Sequence, residues 1–451
     1  GVSVVNGLSV PLYGGFTLTG GSTVAGNVAL GGDNTVYLAQ SLDVPSGSSW
    51  TDSGYLYLLA QTANVTLTNE GLISVQGGEI SGWGYAGYSL VNSGTIINTG
   101  ESLDLASGES DTWNGSEYVY AWDQITNNGT IEQSGPGTTY IGGSGSLVTN
   151  LSANTLTGGT WIASGGGSIV FPETANAIVT NNATVVLSGA NAQILTASGS
   201  DGAYQSLDTT LTNNNGTLQV LGGRDFASGS SSNAIVNNGT LLIGGGTFYA
   251  ATLTNNPGSV IGGFGTFSTT SGGVTVGNGV LLSLGVPTPG SYIGDLNFSS
   301  TLTLGGGGSA VFSIMNAGPA VAGVDYDTAT VAGALTVTAT PASQFTLTLQ
   351  SINPGTGAPG LANFNPYQSY QWTLFSAGSL SGFSTSDFNV SAADFGNSLQ
   401  GGTLSLGYSG SDIVLNFTPV PEPSTWALMV GGALALAASE VLRRRMRLRR
   451  A

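Results

Sequence analysis

No cysteine, histidine or lysine occurs anywhere in the chain, and ionised side chains are scarce throughout. Each absence removes a class of chemistry. Without cysteine there are no disulfides, thiolate metal sites, cysteine nucleophiles or lipidated cysteines. Without histidine there is no Ser–His triad, no zinc–histidine site and none of the commonest general base. Without lysine a Schiff base and a Ser–Lys dyad are ruled out. Catalysis is left with carboxylates, tyrosines, hydroxyls and very little arginine. Charged residues are 7 % of the 451, against roughly 25 % in an ordinary soluble domain. Residues 1–420 hold 22 Asp and Glu against Arg224 alone, a net charge of −21. Nucleic acid binding requires a positive face that displaces counterions, so no nucleic acid partner is expected. Acidic polysaccharides are repelled as well, unless divalent cations bridge the two.

The abundant residues are Gly, Ser, Thr and Asn, and the 40 % of hydrophobic residues recur at regular spacing. That combination favours exported or cell-surface β architecture over a cytosolic enzyme, and it is too apolar for disorder. Residues 1–290 repeat one pattern: an apolar β-branched step, then Asn-x-Gly or a near variant, then another strand-like step. Instances are LTNEGLISV from Leu67, LVNSGTIIN from Leu90, ITNNGTIEQ from Ile125, VTNNATVVL from Val179, LTNNNGTLQV from Leu211, IVNNGTLLI from Ile235 and LTNNPGSVI from Leu253. The third turn residue is Gly71, Gly94, Gly129, Ala183, Gly216, Gly239 and Gly258. The intervals between these positions are uneven, longest from Gly129 to Ala183 and shortest from Gly239 to Gly258. The shortest intervals match a solenoid rung, whose period is about 20 residues or a little more, and the longer ones are double rungs or rungs with insertions. Asn and Gly tolerate the left-handed backbone of a tight corner. Rungs stacked in register let the corner asparagines form hydrogen-bonded ladders. A string of β-hairpins is the alternative, because Asn-Gly also signals a hairpin. The uneven intervals fit insertions on a coil better.

The rungs resemble the passenger domains of autotransporter and haemagglutinin-like adhesins. Where such a passenger would continue into an outer-membrane barrel, this chain carries a different tail. Residues 291–419 lose the Asn-Gly corners and show alternating runs such as SQFTLTLQSI and YQWTLFSAG. They read as a C-terminal β unit, either a cap that covers the solenoid's open strand edges or a small sandwich.

The tail concentrates the positive charge: six of the seven basic residues are Arg443, Arg444, Arg445, Arg447, Arg449 and Arg450. Before them, Thr425–Leu442 is mostly apolar, and as a helix it would reach roughly 27 Å, slightly short of a ~30 Å hydrocarbon core. Trp426 at one end and arginine at the other suit a membrane interface and a cytoplasmic side. The stretch VPEPSTWALMVGGALALAA, followed by RRRMRLRR, resembles the PEP-CTERM sorting signal of Gram-negative bacteria. Its motif falls on Pro421, Glu422 and Pro423; Glu440 within the apolar run is a departure. The resemblance implies export, transient inner-membrane anchoring, recognition by an exosortase-type transpeptidase, and association with exopolysaccharide and biofilm. Members of that family begin with a signal peptide. This chain begins Gly1-Val2-Ser3, so either a signal has been removed or the chain is a fragment.

The expected fold is therefore all-β: a right-handed parallel β-helix over 1–290, a C-terminal β unit over 291–419, and a single transmembrane helix within 420–451. The expected function is structural or adhesive in an extracellular matrix, with extracellular polysaccharide or a cell surface as partner and no enzymatic activity. A polysaccharide lyase or glycosidase on the same fold and a surface-layer protein are the alternatives.

Candidate sites are few. Residues 81–123 hold Trp83, Tyr85, Tyr88, Trp113, Tyr118, Tyr120 and Trp122, with six acids between Glu101 and Asp123 (Glu101, Asp104, Glu109, Asp111, Glu117, Asp123). Exposed aromatic faces suit stacking on sugar rings, which singles out Trp83, Trp113, Tyr118 and Trp122 for glycan contact. Clustered carboxylates suit Ca²⁺; otherwise no cofactor is expected. The plainer alternative is an insertion loop packed on the solenoid. Asp325 and Asp327 offer a carboxylate pair for glycoside hydrolysis, or turn acids before a strand. Arg224-Asp225 offers a lyase base, or a local salt bridge or solvated turn. Asp412 lies in a partial echo of a Gly-rich Ca²⁺ repeat, of which one copy carries no weight.

Overall fold

The fold is taken from a computed structural model, which describes residues 3–4, 8–11, 14–18, 22–24, 26–60, 64–82, 87–113, 118–143, 145–172, 177–198, 203–227, 233–286, 291–420 and 423–448. Short strands follow one another around a coil, and each pairs in parallel with its counterpart one coil further on. Leu42–Val44, Ser49–Asp52 and Leu56–Ala60 form one coil; Thr66–Asn69, Leu72–Val75 and Gly78–Gly82 form the next. Ser89–Asn92, Thr95–Asn98 and Ser102–Leu105 form a third. Leu67 faces Leu90, Ile73 faces Ile96 and Ile80 faces Leu105. This is a three-faced parallel β-helix, as the repeats lead one to expect.

Alternation drives each strand. Side chains two apart share a face, and strands such as Thr66–Asn69 and Thr95–Asn98 bury every second residue. The buried residues stack coil upon coil. One inward column runs Val28, Trp50, Ile73, Ile96, Ile131, Trp161, Val185, Leu218, Leu241, Ile261, Leu282, Ala310 and Leu347. None of them is more than 5 % exposed, and each large aliphatic contributes about 1.5–3 kcal/mol by burial. A second column stacks Phe226, Phe248, Phe267 and Phe298, with successive ring centroids 4.7, 5.9 and 6.0 Å apart. No single coil has a closed core, so the apolar faces are buried only by stacking.

The corner asparagines form the ladder that their spacing predicts. Asn69 donates through Nδ2 to Oδ1 of Asn92 at 2.7 Å, and Asn92 to Asn127 at 2.7 Å. After a break, where Asn150 Oδ1 accepts from the Asn127 backbone N–H at 2.6 Å, Asn181, Asn214, Asn237 and Asn255 form a second run at 2.9, 2.9 and 3.2 Å. The second amide hydrogen of each bonds a backbone carbonyl of the next coil, such as Thr95 for Asn69 and Thr130 for Asn92. The ladder starts at Asn69 because Val44 stands opposite it one coil earlier, and Asn69 Oδ1 is left without a donor among the described residues.

Gly258 has the positive φ expected of a corner, 90°, but the other corner glycines act differently. Gly71, Gly94, Gly129, Gly216 and Gly239 do not have positive φ. Instead, a Cβ on Gly94 would fall on the carbonyl oxygen of Gly71, one on Gly129 on that of Gly94, and one on Gly239 on that of Gly216. Close stacking, not handedness, selects glycine there. Ala183 is accommodated because the coil below bulges between Thr157 and Thr160, at Gly158 and Gly159 with φ of 63° and 69°.

The uneven intervals have distinct causes. Between Gly94 and Gly129 lies an antiparallel hairpin, Glu109–Trp113 with Tyr118–Trp122. Between Gly129 and Ala183 lies a full extra coil, since Thr130 pairs with Thr160 and Thr160 with Thr184. Between Ala183 and Gly216 come a hairpin, Gln193–Ser198 with Ala203–Ser206, and one helical turn, Leu207–Thr210. From Thr155 onward neighbouring faces merge into longer strands, such as Thr155–Ser164 and Thr240–Ala250.

Parallel pairing runs on to Phe388–Asp394 against Phe345–Asn353. The described β structure then turns antiparallel: Asp412–Thr418 pairs with both Tyr370–Ser381 and Thr403–Ser409. Phe364, Tyr370, Trp372, Phe395 and Phe417 pack together at this end. A helix, Pro423–Leu448, follows, and its described side chains, 427–443, are exposed. The expected transmembrane helix is corrected here: among the described residues no helix is long and apolar enough to cross a membrane. The uninterrupted apolar run ends at Ala438. From Ala427 it makes about 18 Å of helix against a ~30 Å core. Ser439, Glu440 and Arg443 come next in the chain or close after it.

Candidate functional site

The stretch 81–123 divides into three environments. Trp83 and Tyr85 lie outside the described residues. Tyr88 is 1 % exposed, and its hydroxyl has no hydrogen-bond partner among the described residues; burial raises its pKa well above the usual value. The remaining aromatics sit on the inserted hairpin, where Trp113 is directly opposite Tyr118 and Asp111 opposite Tyr120. The side chains of 109–121 lie outside the described residues. Trp122 is half-buried and its indole lies over Gly145, where a Cβ would overlap the ring. Trp122 therefore has one face committed to the solenoid.

The acids do not form one cluster. Asp123 is 2 % exposed and anchors the base of the hairpin. Its Oδ2 accepts from the backbone N–H of Gly82 at 2.8 Å and of Gly108 at 3.0 Å. Burial pushes its carboxyl up to about 6, against those two hydrogen bonds. Asp104 points outward from Ser102–Leu105, in register with Glu79 on one side and Tyr140 on the other. Burial and then the Glu79 charge raise its pKa. Glu101 is at the opposite end of the same strand from the hairpin and accepts from the Tyr55 hydroxyl at 2.9 Å. Beside it lies a shallow groove of about 550 Å³, lined by Thr99–Ser102 and by Pro136, Gly137, Thr138 and Tyr140. Among the described residues no three acids converge to hold a metal ion.

The other candidates are structural. Arg224 is 4 % exposed. Its Nη2 pairs with Asp208 Oδ1 at 2.7 Å, Nε donates to the Ala192 carbonyl at 2.6 Å and Nη1 to the Asp225 carbonyl at 3.0 Å. Asp208 also accepts from the Ala227 N–H at 3.0 Å. The ion pair joins Arg224 to the helical turn of an earlier insertion, not to the carboxylate of its neighbour Asp225, and sequence spacing held no sign of it. Asp327 is fully buried and accepts from the N–H groups of Gly294 at 2.8 Å and Ser313 at 2.6 Å. Burial pushes its carboxyl up to about 8. Asp325 instead holds a loop, accepting from Asn316 Nδ2 at 2.7 Å and Val321 N–H at 2.8 Å. The two acids serve different surroundings and do not face each other across a cleft. Asp412 accepts from the Ser376 hydroxyl at 3.0 Å.

In the tail, Pro421, Glu422, Arg449 and Arg450 lie outside the described residues. Pro423 opens the helix, which carries Arg443, Arg444, Arg445 and Arg447. Arg443 is exposed.

No family model matches the chain. Over 206 residues it is 29 % identical to the adhesin BmaC autotransporter of Brucella suis biovar 1 (strain 1330), an alignment that covers 46 % of this chain. It covers 5 % of that much longer protein. The chain thus has a distant resemblance to an autotransporter adhesin and a body of parallel β-strands, both in line with what its Asn-Gly rungs suggest.

Proposed function

We propose that the chain is an exported protein of a Gram-negative bacterium, displayed at the cell surface or in the extracellular matrix, with a structural and adhesive role. The in-register parallel coil, together with its likeness to a stretch of an autotransporter adhesin, carries the reading. Its mechanism is display: a rod with a rigid stacked core that holds a few insertions away from its surface. In this reading the displayed solenoid runs through the parallel strands as far as Phe388–Asp394, the antiparallel strands Thr403–Ser409 and Asp412–Thr418 close it, and 420–451 is a sorting segment. The Pro421-Glu422-Pro423 tripeptide and the arginine-rich end support recognition by an exosortase-type enzyme in an exopolysaccharide and biofilm setting. The inserted hairpin with Trp113, Tyr118 and Trp122, and Trp83 before it, supplies the aromatic surface for glycan contact.

The test is retention of the purified chain on neutral exopolysaccharide. Wild type is expected to be retained, and Trp113→Ala with Tyr118→Ala to lose at least tenfold in affinity, with EDTA having no effect. Loss of retention in EDTA would instead assign the acids to Ca²⁺. Failure to bind any matrix polysaccharide or cell surface would sink the adhesive role.

A further inference from the structure

Apart from the hairpin, one outward column of the solenoid combines tyrosine with acid. Tyr57, Glu79, Asp104 and Tyr140 occupy it on four successive strands. The two carboxylates are therefore neighbours at the strand spacing of ~4.8 Å, with a tyrosine on either side. Like charges directly opposite each other destabilise a sheet, and little offsets them here. Among the described residues Asp104 has no hydrogen-bond donor, and Glu79 has only the Ser81 hydroxyl. Arg224, the one basic residue of 1–420, is buried against Asp208 and neutralises neither. Beside the column the Tyr55 ring lies across Gly77 of the next coil, where a Cβ would meet it at 2.7 Å. Its hydroxyl is fixed to Glu101, one coil further on, at 2.9 Å. The ring is thus laid along the rod with one face on backbone. Glu101 and Tyr140 both line the groove of about 550 Å³, and Tyr140 is hydrogen-bonded to Tyr204, which is 51 % exposed.

We infer that this groove and the column beside it form a second saccharide site, whose ligand is a polysaccharide carrying free amino groups. The groove has the volume of a small-ligand site, and it is bordered by tyrosine faces on which sugar rings stack. The acids set the class of sugar. An ammonium group between Glu79 and Asp104 relieves their repulsion, supplies the donor that Asp104 lacks, and gains cation–π attraction from Tyr57 and Tyr140. A uronic acid polymer is repelled by the same carboxylates. A neutral polymer can stack but leaves Asp104 without a donor. Tyr57 to Tyr140 is three strand intervals, about 14 Å along the rod, which accommodates a short oligosaccharide. The inference rests on the reading that the chain meets polysaccharide, but at residues separate from the hairpin.

Calorimetric titration of the full chain with a glucosamine oligomer tests it, with the N-acetylated oligomer and oligolysine as comparisons. The glucosamine oligomer is expected to bind at least about tenfold more tightly than either, and to weaken as salt screens the carboxylates. Glu79→Gln with Asp104→Asn should lower its affinity at least about tenfold. The same pair removes a repulsion, so the melting temperature should not fall. Tyr55→Ala, which removes the ring over Gly77, should weaken binding as well, whereas Trp113→Ala with Tyr118→Ala should leave it unchanged. No binding by the wild type, or equal binding of the N-acetylated oligomer, would overturn the inference. So would equal binding of oligolysine, which would make the face a general cation surface, or a requirement for Ca²⁺, which would give the acids to a metal. Binding lost in the hairpin variant but kept in Glu79→Gln with Asp104→Asn would overturn this site and leave the hairpin reading standing. Glucosamine binding without retention on neutral exopolysaccharide would support this site and sink the hairpin reading alone.

Discussion

Asn92 shows how much one residue carries. Its side chain accepts from Asn69 and donates to Asn127 and to the Thr130 carbonyl, and it is fully buried. Asn92→Ala leaves buried polar atoms unpaired, at a cost of about 2–4 kcal/mol, read as a lower urea midpoint. At the surface, Asn215 donates to Asn182 at 2.8 Å and accepts from Asn238 at 2.6 Å, and Asn215→Ala should cost under about 1 kcal/mol, because water replaces the lost bonds. Glycine is equally position-specific. Gly94→Ala puts a methyl on the Gly71 carbonyl and should destabilise by several kcal/mol or prevent folding. Gly47→Ala meets nothing within 4 Å and faces only its φ of 78°, a penalty of roughly 1–2 kcal/mol. Asp327 sets a pH dependence. Its folded pKa is raised to about 8 from 3.8, so between those values the folded state holds a proton that the unfolded state releases. Stability should therefore fall as pH rises from about 4 to about 8. Asp327→Asn should flatten that slope in calorimetric melts at pH 5 and pH 8. An unchanged slope would place the dependence elsewhere.

Among the elements, the inserted hairpin separates binding from folding. Gly108 and Asp123 lie at its base, where the Asp123 N–H bonds the Gly108 carbonyl at 3.2 Å, and Asp123 holds Gly82 and Gly108 from below. Replacing residues 109–122 by a short Asn-Gly turn should leave the melting temperature within a few degrees. The same change should abolish glycan retention if the hairpin is the contact element. A large drop in melting temperature would show the hairpin to be part of the core. The strands themselves were foreseeable, because alternation and Asn-x-Gly punctuation are local. The length of the longest interval already allowed for an extra coil, but not for where its corner falls, since Asn150 carries that corner in a segment, TNLSANTLTGG, that lacks the repeating motif. The helix was foreseeable as a helix, but its apolar run stops at Ala438, and its described side chains stand exposed without a span.

At the scale of the whole molecule, stability is a sum over neighbouring coils. The inward column from Val28 to Leu347 passes through every insertion without losing register, so insertions extend outward and leave the core intact. The antiparallel strands Thr403–Ser409 and Asp412–Thr418 replace further parallel pairing at the end of the stack, which limits open edges there.

The amino-acid sequence by itself determined the coil, the strand alternation and the asparagine ladder, because parallel stacking sets like residue on like and the motif states where each corner falls. Only the tertiary structure decided why most corners are glycine, which acids are buried, and that Arg224 reaches Asp208. Each of these depends on what lies one coil away, and that distance is set by the length of the intervening insertion, which local spacing does not encode.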